Sequence, residues 1–353
     1  IAAPLDVESR KGGAEIDAET DFEIDAETNI EIDAETKSFK VDAATNTETN
    51  AETNTNPCFG SLRVASFMDN KVLMNYYTGF DSYERFRYVL ICLGPAAFNL
   101  CSKSPSPLDP ENEFFLTLIK LRQNKDDEEL SFFFGINKHF VRSIFRTWVA
   151  FLYYELKDMN MWLSREVVTE HMPKVFKKQY PSTRVIIDGT EIPIMKPSNV
   201  KNQAATWSTY KNRNTLKILV GISPKGVVTF ISDAFGGATS DRQILERSCL
   251  LRNEKFEAGD GVMADRGFNV QDLLCLEQVK LNIPNFLRGA NQLAPEKVLE
   301  DRRIAAQRVH VERVIGLAKT YKIITRPLNK DYVPIGGRII YICFALCNFR
   351  DCI

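Results

Sequence analysis

Residues 185–192 read VIIDGTEI. Val185, Ile186 and Ile187 run directly into Asp188, and a second acid, Glu191, follows three residues on. A β-branched run of this kind predicts a strand buried on both faces, ending at the aspartate. An ionised carboxylate there is costly to bury without a partner. Asp265 repeats the pattern in VMADRGF (262–268), again directly after an apolar run. Sites in open α/β sheets form outside the carboxyl ends of strands. Neighbouring strands would bring Asp188 and Asp265 face to face, where like charges repel unless a cation lies between them.

The flanking periodicity extends this into a domain. Residues 215–223 and 226–232 are predicted strands, joined at a Ser223-Pro224-Lys225-Gly226 turn. A helix over 241–249 follows, with Ser240 as its N-cap, then a strand over 261–265. A helix in NVQDLLCLEQ (269–278), a strand in LNIPNF (281–286) and a long helix over about 300–321 complete an α/β pattern. A third acid comes from that last helix, in RVHVERVIGLAK (308–319). Arg308, Glu312 and Lys319 share one of its faces, because offsets of four and eleven residues fall about 40° and 20° past whole turns. Arg308 and Lys319 are then placed to bind phosphate on either side of Glu312. Taken alone, the Arg308–Glu312 spacing is equally that of a surface ion pair worth about 0.3 kcal/mol.

Oxygen ligands without a Cys/His set point to Mg2+ or Mn2+. Two such ions at Asp188, Asp265 and Glu312 would serve phosphoryl transfer on nucleic acid. Charge agrees with such a partner. Residues 1–56 hold fifteen acids and four bases, and the remainder holds thirty-one acids and forty-one bases, so a net −11 tail precedes a net +10 body. A basic body fits a polyanion. The tail repeats IDAET at Ile16, Ile24 and Ile32 and is expected to be disordered, having too little apolar surface to offset its ordering entropy. With three His and no CxxC among eight Cys, a zinc site is not expected. Reduced thiols place the chain in the cytosol or nucleus. No secretory signal is evident, and a start at Ile1 rather than Met is consistent with a fragment. The apolar run 339–347 is read as a core helix, too short to span a bilayer.

Upstream, residues 57–111 are predicted to be a helical segment ending in the linker SKSPSPLDPEN (102–112). Residues 112–165 follow as a helix-turn-helix: a helix through Leu116–Leu121, a second over 127–134, a Gly135-Ile136-Asn137 turn, and a third helix capped by Asn137. Phe140, Ile144, Trp148 and Phe151 form its expected apolar stripe, with Lys138, His139, Arg142 and Arg146 off it. Lys138, Arg142 and Arg146 are the expected DNA contacts, although an ordinary bundle with a solvated basic face has the same pattern.

At this point the chain resembles the PIF/Harbinger type of DDE-superfamily transposase and, more distantly, bacterial insertion-sequence transposases. The stretches that carry the resemblance are VIIDGTEIPIMKPS, STYKNRNTLKILVGISPKG, GGATSDRQI, GDGVMADRGF, IPNF and RVHVERVIGLAK, in that order, with the helix-turn-helix before them. The resemblance implies an RNase H-like catalytic domain over 180–350, a triad at Asp188, Asp265 and Glu312, and a nuclear DNA endonuclease. The Tyr that often precedes Arg308 by three in the family pattern is Ala305 here. No large insertion separates Asp265 from Glu312, so an insertion domain is not expected.

Asp241, in TSDRQI, is the rival for the second ligand, but at a helix start a carboxylate is already stabilised by free N–H groups. Glu191 is a candidate supporting acid, and Asp233 and Asp260 are weaker ones. Between Asp188 and the next strand, Lys196, Lys201, Lys211, Arg213 and Lys217 interleave with Trp207 and Tyr210. Lys211 and Arg213 are assigned to phosphates and the aromatics to unstacked bases, against the alternative of a basic hairpin with its rings in the core. The leading function is metal-dependent DNA cleavage and strand transfer at transposon ends. The alternative is a domesticated DNA-binding protein that keeps the fold without cutting. Expected partners are DNA, further copies of the chain on DNA ends and a separate DNA-binding protein; no membrane is expected.

Overall fold

The computed structural model describes residues 62–100, 105–251, 255–285 and 294–350. The predicted tail 1–56, part of the 102–112 linker and Phe286 lie outside them.

Strand β1 (Thr183–Pro193) is the central strand of the sheet. Antiparallel β3 (Arg213–Ile222) lies on one side and parallel β6 (Gly261–Met263) on the other, with β7 (Lys280–Asn282) parallel beyond β6. The short β2 (Trp207–Ser208), β4 (Val228–Ile231) and β5 (Phe235–Gly236) all pair with β3. The result is a mixed α/β sheet. The predicted turn before β4 forms with Gly226 at φ +95°, which favours glycine, and Gly226 N–H donates to Ser223 O at 2.8 Å.

The strand at Asp188 does not end where the apolar run ends. β1 continues to Pro193, because residues 189–193 keep pairing with β3 after β6 has stopped at Met263. What ends near Asp188 is the two-sided pairing. The last parallel pair is Ile186 with Met263, and each aspartate lies two residues beyond it.

Alternation along β1 divides the core. Val185 and Ile187 face a cluster with α9 (Asp241–Arg247) and α10 (Gln271–Leu276), while Ile186 and Ile192 face the larger cluster with α11 (Pro295–Ala318) and α12 (Gly336–Ala345). The run Lys330–Phe349 is long and apolar enough to cross a bilayer, but α12 within it is core, packed on β4 and, among the helices that precede the sheet, on Lys138–Asp158.

Those helices are α1 (Lys71–Thr78), α2 (Tyr83–Cys92), α3 (Pro110–Gln123), α4 (Asp127–Phe134) and α5 (Lys138–Asp158), followed by the short α6 (Arg165–Glu170), α7 (Lys174–Gln179) and, after β1, α8 (Val200–Thr206). The Asn137 cap forms as predicted, accepting from His139 N–H at 2.9 Å. The apolar stripe of α5 is rotated from the predicted one. Val141, Phe145, Val149 and Leu152 are buried with Ile144 and Trp148, while Phe140 and Phe151 are only partly covered. The reason is that α5 is covered on two sides, by α3 and by α12. Helices α1 to α5 and the α11 face of the sheet therefore share one hydrophobic core.

Asp127 ties this core together. Its carboxylate accepts from Lys120 Nζ at 2.6 Å, Arg142 Nε at 2.7 Å and the Tyr332 hydroxyl at 2.9 Å, joining α3, α4, α5 and the segment before α12. Lys120 is 3% exposed, and burial pulls its ammonium below the usual range while Asp127 opposes that shift. Asp127→Ala leaves that charge without its partner. Such losses cost about 3–5 kcal/mol, expected as a fall in melting temperature of roughly 10 °C. Lys120→Met added to Asp127→Ala should recover much of it; a single variant that melts like the parent would exclude this role.

Candidate active site

Asp188, within β1, and Asp265, in the turn after β6, each lie two residues beyond the last parallel pair of the two strands. That turn is closed by Phe268 N–H donating to Asp265 O at 3.0 Å. Helix α11 crosses the same face. Arg308 donates from Nη1 to Asp265 Oδ1 at 2.9 Å, and its buried Nε has no hydrogen-bond partner. Glu312, one turn on, is exposed and close enough to act on Asp188.

Burial pushes the Asp188 carboxyl from 3.8 to about 6, opposed by the Arg308 guanidinium and the Gly189 N–H and reinforced by Asp265 and Glu312. Asp265, Glu312 and Arg308 thus all lie within electrostatic reach of Asp188. A carboxyl raised on folding binds a proton more tightly folded than unfolded, so stability falls as pH rises through the window. The penalty is absent below about pH 4 and complete above about pH 6. Asp188→Asn should therefore stabilise the metal-free protein at pH 7.5 by about 1–3 kcal/mol and have no such effect near pH 3.5. Thermal unfolding at the two pH values tests this, and an equal effect at both would rule out the ionised carboxylate as the cause.

The donor set suits a hard cation, being carboxylate oxygens only. Among the described residues, however, no three such groups stand close enough together to hold an ion as the side chains lie. Arg308 holds one oxygen of Asp265, whose side chain is otherwise half-exposed, and Glu312 is exposed.

Asp241 lies on the other face of β1. It is the first residue of α9, whose Ser240 N-cap forms a reciprocal capping box with Gln243. Its Oδ1 is 3.0 Å from Lys217 Nζ. A Cβ at Gly189, whose position faces away from Asp188, would come within 2.5 Å of that same oxygen. The Lys217–Asp241 pair was not evident from sequence, since it needs the β1–β3 register that sets Lys217 opposite Glu191. Glu191 itself accepts from Thr215 Oγ1 at 2.9 Å.

Lys319, just past α11, is pulled down by burial and by neighbouring Lys211, and held up by Asp188 and Glu191. Lys319 is therefore within electrostatic reach of Asp188 and Glu191, and Lys211 of Lys319. Arg213 begins β3 and donates from Nε to Lys211 O at 3.3 Å, bracing the hairpin.

The helix-turn-helix cations lie elsewhere. They are exposed but engaged within the protein: Lys138 pairs with Glu128 at 3.2 Å, Arg142 with Asp127 at 2.7 Å, and Arg146 Nη2 donates to Asp331 O at 3.1 Å. The acidic first turn of α4 supplies two of those partners, which position along the chain alone did not reveal. Asp233 pairs with Lys157 at 3.3 Å. Asp260 is buried before β6 with Arg165 and Arg184, at the end of the sheet opposite Asp188.

Residues 187–348 match the family described as DDE superfamily endonuclease, and residues 106–158 match the helix-turn-helix of DDE superfamily endonuclease. No curated protein and no solved structure matches the chain. The first span contains Asp188, Asp265 and Glu312; the second contains α3, α4 and α5. These two matches, in this order along one chain, make the protein a member of the DDE superfamily, with an endonuclease domain preceded by that superfamily's helix-turn-helix.

Proposed function

We propose that the chain is a transposase-type DNA endonuclease of the PIF/Harbinger kind, with an RNase H-like domain over 180–350, acting in the nucleus on the ends of a mobile element. The observation that carries this reading is the convergence of Asp265 and Glu312 on Asp188 from three separate elements, an arrangement whose repulsion a cation would relieve. Asp188, Asp265 and Glu312 are the proposed ligands of two Mg2+ or Mn2+ ions, which when bound supply the charge that activates water and stabilises the leaving oxygen.

The residues of the chain then divide the remaining work. Asp188, held between the two halves of the sheet, fixes the depth of the site. Arg308, released from Asp265, and Lys319 with Lys211 take the phosphates that flank the scissile one. In the cleavage, a water oxygen bonds to phosphorus as the phosphorus–O3′ bond breaks, leaving a 3′-hydroxyl and a 5′-phosphate. Asp241 is proposed to keep a structural role, since α9 and Lys217 hold it on the far face. The segment 112–165 is the proposed duplex-binding part, with Lys138, Arg142 and Arg146 exchanging their internal partners for phosphates. Further copies of the chain, or a separate DNA-binding protein, would pair the two ends.

The test is incubation of the full chain with end-bearing plasmid and Mg2+ or Mn2+. Nicking or excision that stops with EDTA is expected. DNA retention without cleavage under either ion would overturn the enzyme reading in favour of a non-cutting binder.

A further inference from the structure

Lysines and arginines without a carboxylate partner gather where α7 meets α11. Phe176 is the buried residue of α7, and its ring lies 5.8 Å from the His310 ring of α11, centroid to centroid. Lys174 and Lys178 stand two residues to either side of Phe176, about 160° around the helix, so both point away from that contact, and both are exposed. The buried residues of α11 run from Ile304 to Ala318 along one face. Arg302 and Arg313 lie about 150° or more from the middle of that face, in line with each other, and are exposed. The rise of the helix separates them by about 16 Å. Arg303 completes the group, lining with Lys178 the cleft between the two helices, where Glu296 and Glu300 also stand.

The contrast with the helix-turn-helix is one of pairing. Lys138, Arg142 and Arg146 each have a partner inside the protein. Among the described residues, Lys174, Lys178, Arg302, Arg303 and Arg313 have no carboxylate within ion-pair distance. Five cations beside two acids leave a net +3. Such a surface calls for an anion, and the reach from Arg302 to Arg313 is more than one phosphate can bridge. A polymer with a repeating negative charge fits it. Between the two arginines the same line of α11 carries Ala306 and Val309, which offer no hydrogen bond to a base edge. Glu312 lies on the adjoining face of the same helix, so the surface begins next to the proposed metal ligands.

We infer that the Arg302–Arg313 ridge of α11, with Arg303 and the lysines of α7, is a second DNA-binding surface, which holds the phosphate backbone of the duplex flanking the cleaved position without regard to its sequence. This rests on the DNA-cleaving reading above and adds to it the path that the flanking DNA takes. The ridge grips backbone charge alone, so it fixes where the duplex lies and leaves the choice of sequence to other parts of the chain.

The test is fluorescence anisotropy of the full chain, without divalent metal, on an end-bearing duplex and on a scrambled duplex of equal length, across a salt series. Arg302→Gln with Arg313→Gln, and Lys174→Gln with Lys178→Gln, should each weaken binding to both duplexes alike, on the order of tenfold, and lower the salt slope by roughly 2. Their melting temperatures should match that of the parent, because all four side chains are exposed. Lys71→Gln with Lys330→Gln removes the same charge from exposed lysines elsewhere and should leave the slope unchanged. An equal fall in that control assigns the effect to net charge and overturns the ridge. So does an unchanged slope in the two ridge variants, or a loss confined to the end-bearing duplex. Because no cleavage is read, ridge-dependent binding by a protein that never cuts would sink the nuclease reading alone. Cleavage by a protein whose ridge variants bind like the parent would sink the ridge alone.

Discussion

Asp188→Asn, Asp265→Asn and Glu312→Gln are each expected to yield a folded, DNA-retaining protein that has lost metal-dependent cleavage by a factor on the order of 10³ or more. Each change removes one charge from a centre where three carboxylates act together, and a neutral amide neither attracts nor balances a divalent ion as the acid does. Asp241→Asn is the informative contrast. It gives up a contact with Lys217 and a favourable place at the start of α9, worth on the order of 1–2 kcal/mol, and should keep activity. Its geometry gives the reason: Asp241 approaches β1 from the side of Gly189, and Asp188 faces α11. Single-turnover cleavage of one labelled end by the four variants decides the matter. A dead Asp241→Asn beside an active Asp265→Asn would reassign the second ligand.

A chain that starts at residue 180 should fail to fold as a cooperative unit. The α11 face of its sheet and α12 are completed by α5, whose Trp148, Leu152 and Leu156 belong to the same core, and α3 packs on residues 322–324 just after α11. The seam also carries polar ties, including Tyr341 hydroxyl to Leu156 O at 3.4 Å and Arg146 to Asp331 O at 3.1 Å. Exposing several large apolar side chains at about 1.5–3 kcal/mol each exceeds the whole stability of an ordinary domain. The truncated protein should bind a hydrophobic dye and melt without a sharp transition. A transition within a few degrees of the full chain would show that the two parts are energetically separate.

Local chemistry made the helices readable. Asn137, Ser240 and the acids ahead of α4 mark starts through short-range hydrogen bonds, which sequence spacing conveys directly. Strands that depend on partners were harder. β1 beyond Asp188 has a glycine, two polar residues and a proline, and it is extended only because β3 lies alongside. The two-residue strands β2 and β5 carry no periodicity at all. Within the site, strand ends placed Asp188 near Asp265, and helical geometry placed Arg308 on the Glu312 face. Neither could say that Arg308 would hold Asp265. The basic turns of α5 were visible as charge, but their pairing with Asp127 and Glu128 depends on how α4 folds back across them.

Gly189 stands between two charged groups, next to Asp188 along β1 and against the Asp241 carboxylate across it. On one side lies the acid that the proposed chemistry needs, and on the other a carboxylate oxygen where any side chain at 189 would have to go. Any side chain at 189 would have to push the Asp241 carboxylate away from Lys217. A change at 189 and a change at 241 are therefore expected to be coupled in their effect on stability, which a double-mutant cycle would read.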